Sequence, residues 1–98
     1  MNLTELLQAV KEENLTKDKL EELRDEMAHL YSLYQLETAK IKKSKALYIL
    51  TQAEKTNVAT ENKWAGTEMG QREIQLKYEC LALKEELSSL KHRIYSTY

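Results

Sequence analysis

The sequence predicts an all-α fold: a short N-terminal helix followed by a long antiparallel helical hairpin, coiled-coil-like and oligomeric. Three observations carry this. The 98 residues include no proline and two glycines, so the main helix breakers are nearly absent. Apolar residues recur at helical spacing through two long segments. Both glycines and the only tryptophan fall between those segments, in Asn62-Lys63-Trp64-Ala65-Gly66-Thr67-Glu68-Met69-Gly70-Gln71-Arg72, which reads as the bend. A chain this short makes a single helical domain over 1–98. Two or three long rods enclose little volume, so self-association is expected.

The first helix is expected over 2–13. Asn2 caps it, Glu5 reaches back from the third helical position, and Leu3, Leu6, Leu7 and Val10 share one face. Asn14 suits a left-handed stop. The second helix, 17–56, opens with Thr16 as its cap and Asp18 at the positive end of the dipole, and Leu15 can staple onto Leu20. It would span about 58 Å. Leu20, Leu23, Met27, Leu30, Tyr34 and Ile41 make its main seam, with a polar gap at Glu37. A second apolar line, Leu33, Leu36, Leu47 and Leu50, lies on another flank. Around Leu30, Tyr31, Leu33, Tyr34 and Leu36 the helix is apolar on several sides, and one partner helix cannot cover all of them. A second protomer is expected there.

The stretch 56–66 connects, with a helical turn near 58–64. Thr67 then caps a third helix, 67–96, with Glu68 in its first turn. Met69, Leu76, Leu83 and Leu90 alternate with Cys80, Leu87 and Ile94 in a heptad pattern, and Ile74, Tyr78 and Leu81 mark a second line. A bend near residue 61 sets residue n opposite roughly 122 − n in the antiparallel hairpin. The first helix fills the space left beside the start of the second.

Charge is unevenly spread although the chain totals −1. Residues 1–39 carry nine acids and four bases, 40–63 six lysines and two glutamates, and 64–98 five of each. That balance excludes a general polyanion binder and leaves a basic middle. One cysteine excludes an internal disulfide and fits a reducing compartment. With no signal peptide and no membrane-length apolar run, a soluble cytoplasmic protein is expected.

The bend has two readings. Trp64 plugs the end of the bundle, Thr67 is only a cap and Gly70 permits close approach. Alternatively, the helix start at Thr67 offers N–H groups to an anion, Arg72 and Lys45 grip phosphates, and Trp64 or Tyr48 stacks on a base. In that second reading Lys42, Lys45, Tyr48, Thr51, Lys77 and Arg72 line one basic, aromatic flank, with Arg72 near Leu50 and Thr51. The run Lys40-Ile41-Lys42-Lys43-Ser44-Lys45 scatters its lysines around the rod and reads first as solvated surface, second as a phosphate-reading patch. His29, His92 and Asp25 lack metal-ligand spacing and read as surface residues, so no metal is expected. Cys80 reads as a small core filler. No triad, carboxylate pair, phosphate loop or zinc cluster occurs, so neither an enzyme nor a cofactor is expected.

Lys63-Trp64, Thr67 and Gly70-Gln71-Arg72, followed by Ser88-Ser89-Leu90-Lys91 and Arg93-Ile94-Tyr95, resemble a group of small helical proteins from phages and prophages of low-GC Gram-positive bacteria. The resemblance implies a phage accessory protein acting inside an infected bacterial cell, in DNA metabolism or against host defence. The architecture is also similar to the phage anti-CBASS sponges that sequester cyclic oligonucleotides, a likeness of fold alone. Three functions follow as expectations. The first is a non-enzymatic anti-defence protein that sequesters a signalling nucleotide or occludes a host defence protein. The second is an accessory of recombination or replication binding single-stranded DNA or a partner enzyme. The third is a structural coiled-coil adaptor.

Overall fold

The computed structural model describes residues 1–52 and 57–96, and their only regular secondary structure is helical. Four helices follow in order: α1 (Leu3–Ala9), α2 (Lys17–Thr51), α3 (Asn57–Ala65) and α4 (Glu68–Ser96). The long α2 packs along α4, and the molecule measures 58 × 20 × 17 Å.

The helix starts form as their sequences dictate. Asn2 and Glu5 make a reciprocal capping box, and the Thr16 hydroxyl accepts the Lys19 N–H. Asn14 adopts the left-handed conformation, φ 64°. However, α1 stops at Ala9 and not at 13. The Val10 carbonyl, which a longer helix would use internally, accepts a hydrogen bond from Arg93 Nη1 at 2.7 Å. Glu12 and Glu13 would also sit at the negative end of the dipole. α2 likewise ends at Thr51, before the expected 56. Gln52 is extended, and the Thr51 hydroxyl donates to the Tyr48 carbonyl that the Gln52 N–H also uses. Residues 53–56 lie outside the described ones.

The bend differs most from expectation. The single turn expected near 58–64 is the nine-residue helix α3, packed against both long helices. Because α3 fills the end of the hairpin, the register shifts by a turn: Glu73 meets Lys45, where a direct bend places it near residue 49.

Two apolar clusters result. The larger gathers Leu6 and Val10 of α1, Leu20, Leu23 and Met27 of α2, and Leu83, Leu90 and Ile94 of α4. The smaller joins Ile41, Trp64 and Leu76, with Tyr48 against it. Of the five residues expected at a subunit interface, Leu30, Tyr31 and Tyr34 pack on the chain's own core. Leu33 and Leu36 face outward, 48% and 62% exposed. On α4, Leu76, Leu83, Leu90 and Ile94 are buried as the heptad requires, while Met69 and the second line of Ile74, Tyr78 and Leu81 are exposed.

Gly70 fixes the corner between α3 and α4. A Cβ built there overlaps the Trp64 carbonyl oxygen and lies 2.7 Å from the Trp64 carbonyl carbon and 2.9 Å from Ala65 Cα. These are backbone atoms and cannot rotate away. At Gly66 the nearest atom would be 3.5 Å off, an ordinary contact. The two glycines therefore separate experimentally. Gly70→Ala should destabilise the chain by about 3 kcal/mol or more, whereas Gly66→Ala should be neutral or stabilising by up to about 1 kcal/mol, read from urea melts. Equal effects would remove the corner from this role.

Candidate functional site

The seams of α2 and α4 carry two acids among their apolar positions. Glu37 fills the polar gap of α2, and Glu73 falls in the heptad line of Cys80, Leu87 and Ile94. An unpaired carboxylate between packed helices is costly, so each recruits a partner. Arg72 donates from Nε and Nη2 to Glu37, and from Nη1 to Glu79 at 3.3 Å. Its guanidinium also lies over the Tyr34 ring, 5.6 Å from the centroid. Glu73 accepts the Trp64 indole N–H at 3.2 Å and pairs with Lys45 Nζ at 3.5 Å.

The electrostatics follow from these contacts. The hydrogen bond from Arg72 holds the Glu37 carboxyl below its ordinary value, and that same bond raises the Arg72 guanidinium. Burial, then the Glu79 charge, pushes the Tyr34 phenol up. Burial likewise raises the Cys80 thiol, with Glu79 adding to it, so Cys80 is not an activated thiolate.

The expected flank therefore divides into three places. At the bend, Trp64 is only 4% exposed and its ring stacks at a tilt on Tyr48, centroids 5.4 Å apart, so the indole is core and not an open stacking platform. The Thr67 hydroxyl donates to the Trp64 carbonyl at 2.6 Å and accepts the Gly70 N–H at 3.0 Å, as a cap does. Thr51 is exposed, its hydroxyl turned back to the Tyr48 carbonyl. Arg72 occupies a second place, bound to Glu37 and Glu79 and not beside Leu50 and Thr51. Lys77 is five residues further along α4, about 140° around the helix, and belongs to a third.

That third place is a groove of about 910 Å³ between α2 and α4. Thr38, Ala39, Leu76 and Cys80 line it, with Tyr31 and Gln35 toward one end and Ile74 and Leu81 along the α4 side. Lys42 and Lys45 approach from α2, Lys77 and Lys84 from α4. Lys45 is held by Glu73, and among the described residues the other three lysines have no ion-pair partner. The structure thus brings together Lys42, Lys45 and Lys77 from the expected flank and adds Lys84 and Tyr31. Glu37, Glu73 and Glu79 were not anticipated as partners of the cations. The signal was present at two of them, as acids at seam positions.

Among the described residues no group of three or more His, Cys, Asp or Glu side chains is arranged to hold a metal. No described helix is long and apolar enough to cross a membrane. No protein-family model, curated protein or solved structure matches the chain.

The Arg72 bridge carries a pH signature. Glu37 is depressed in the folded state, so its contribution is fully present above its ordinary value of 4.5 and is lost as pH falls through the lowered folded value. Arg72→Ala should cost about 1 kcal/mol near neutral pH, modest because both side chains are partly exposed. The cost should shrink in acid as Glu37 protonates. A cost unchanged between neutral and acidic urea melts would show that Arg72 acts by packing alone.

Proposed function

We propose that this chain is a non-enzymatic binding protein whose lysine-rimmed groove captures a phosphate-bearing small molecule, a linear or cyclic signalling nucleotide. In the setting implied by the phage resemblance, that capture is anti-defence sequestration within an infected cell. One observation carries the reading. Four lysines converge on a groove with an apolar floor, and only one of them has a carboxylate to neutralise it. Phosphates at Lys42, Lys45, Lys77 and Lys84 restore charge balance, while Tyr31, Ile74 and Leu81 offer apolar surface to a base or ribose.

On this reading the site is the groove and not the bend: Trp64 and Thr67 hold the corner, and Arg72 ties α2 to α4 through Glu37 and Glu79. A thermal-shift and calorimetric screen against linear and cyclic di- and trinucleotides, with short single-stranded DNA alongside, tests this. A small nucleotide should raise the melting temperature and saturate at fixed stoichiometry. Lys77→Glu should weaken its binding by about tenfold or more, while Arg72→Ala lowers stability and leaves affinity in place. Binding lost in Arg72→Ala but kept in Lys77→Glu would return the site to the bend. A shift with single-stranded DNA alone, falling steeply with salt, would favour the recombination or replication role. No shift with any of them would end the nucleotide reading in favour of a protein target.

A further inference from the structure

The flank of α2 turned away from the groove carries a second seam. Leu33, Leu36, Lys40, Lys43, Leu47 and Leu50 follow one another at alternating spacings of three and four, the pattern of a coiled-coil contact line. All six are exposed, and the leucines are 48%, 62%, 58% and 81% accessible. Toward the N terminus the same line continues through His29, Glu26 and Glu22. His29 and Glu22 are exposed, so α1 does not cover it. Four leucines outside in a heptad line, next to a complete inner seam, make an unpartnered face.

We propose that a second copy of this chain covers it, with the two α2 helices antiparallel and the two-fold axis passing between Leu33 and Leu36. Charge chooses this arrangement over its rivals. A parallel, in-register pair stacks Lys40 and Lys43 on their counterparts. An antiparallel pair centred on the lysines sets Lys40 against Lys43 of the second copy. The axis at Leu33 and Leu36 instead sets leucine on leucine at its centre and keeps the lysines off one another. Glu26 lies one heptad before Leu33 and Lys43 one heptad after Leu36, so the operation that pairs Leu33 with Leu36 pairs Glu26 with Lys43 twice and leaves Leu47 and Leu50 beside Glu22 and Lys19 at the ends of the contact. The acidic stretch 21–26, with four acids and one base, then runs beside the stretch 43–48, which holds Lys43 and Lys45. Among the described residues neither Glu26 nor Lys43 has an ion-pair partner. One Glu26 carboxylate oxygen is shielded from solvent and receives no hydrogen bond, so a cation brought to the other oxygen gains more than at an open surface. This surface does not depend on the groove reading: it lies on the other flank of α2 and leaves the groove open in both copies.

The test is the native mass of the full chain across a dilution series, by sedimentation or light scattering. A concentration-dependent dimer is expected. Glu26→Lys and Lys43→Glu should each weaken it by about tenfold or more, because each turns two attractive pairs into repulsive ones. The double variant should restore the dimer, since the pair is exchanged on both sides of the axis. Leu36→Asp should abolish it with helical circular dichroism unchanged. A chain that stays monomeric at every concentration would leave the face to another kind of protein and overturn the proposal. So would a dimer indifferent to Leu36→Asp, or single charge reversals that the double variant does not rescue. Lys77→Glu should leave the mass unaltered, so failure of the groove reading and failure of this one are separable.

Discussion

At Gly70 the backbone of α4 passes so close to the carbonyl of Trp64 that no side chain fits between them. That approach sets the angle at which α3 turns into α4. It seats the indole over Ile41, Leu76 and Tyr48 and aims its N–H at Glu73. With Trp64 fixed, the height of α4 beside α2 is fixed too, and every cross-hairpin pair follows from that height. Thr67 reinforces the corner from the other side, spending both hydrogen-bonding capacities of its hydroxyl on Trp64 and Gly70. The corner is thus built mostly from backbone and from one buried ring.

The cations of the chain then sort by what they face. Arg72 answers two carboxylates that oppose one another across the hairpin, a task suited to its forked geometry. Lys45 answers Glu73 at the edge of the core. Lys42, Lys77 and Lys84 answer no carboxylate among the described residues and stand around an apolar trough. Structural and available charge are therefore separated onto different sides of the same two helices.

Much of the fold was legible in the sequence because it is local. Caps, heptads and the absence of proline specify helices without reference to anything distant, and Asn14 turns as its residue type suggests. Helix ends were less legible because remote partners decide them, as Arg93 does by taking the Val10 carbonyl. The helix α3 was readable only as a turn. Its nine residues carry a weak apolar pattern and gain their place from packing on both neighbours. For the site, residue type pointed to Trp64, Thr67 and Arg72, but type does not reveal whether a group is already satisfied. Glu37 and Glu73 settle that question, and their meaning rests on a register that the bend alone determines. Lys45 and Lys77 line the same groove although the register is one turn off, since a one-turn error leaves them on the same flank.

The chain's only tryptophan shares a carboxylate with Lys45: Glu73 accepts from the indole at 3.2 Å and from the ammonium at 3.5 Å. Lys45 also stands at the mouth of the groove. An anion that draws this ammonium toward itself leaves a less balanced negative charge beside the indole N–H, where the excited-state dipole feels it. The molecule thus contains a built-in optical gauge. Emission from one unlabelled ring reports both whether the corner is folded and whether the neighbouring trough is filled.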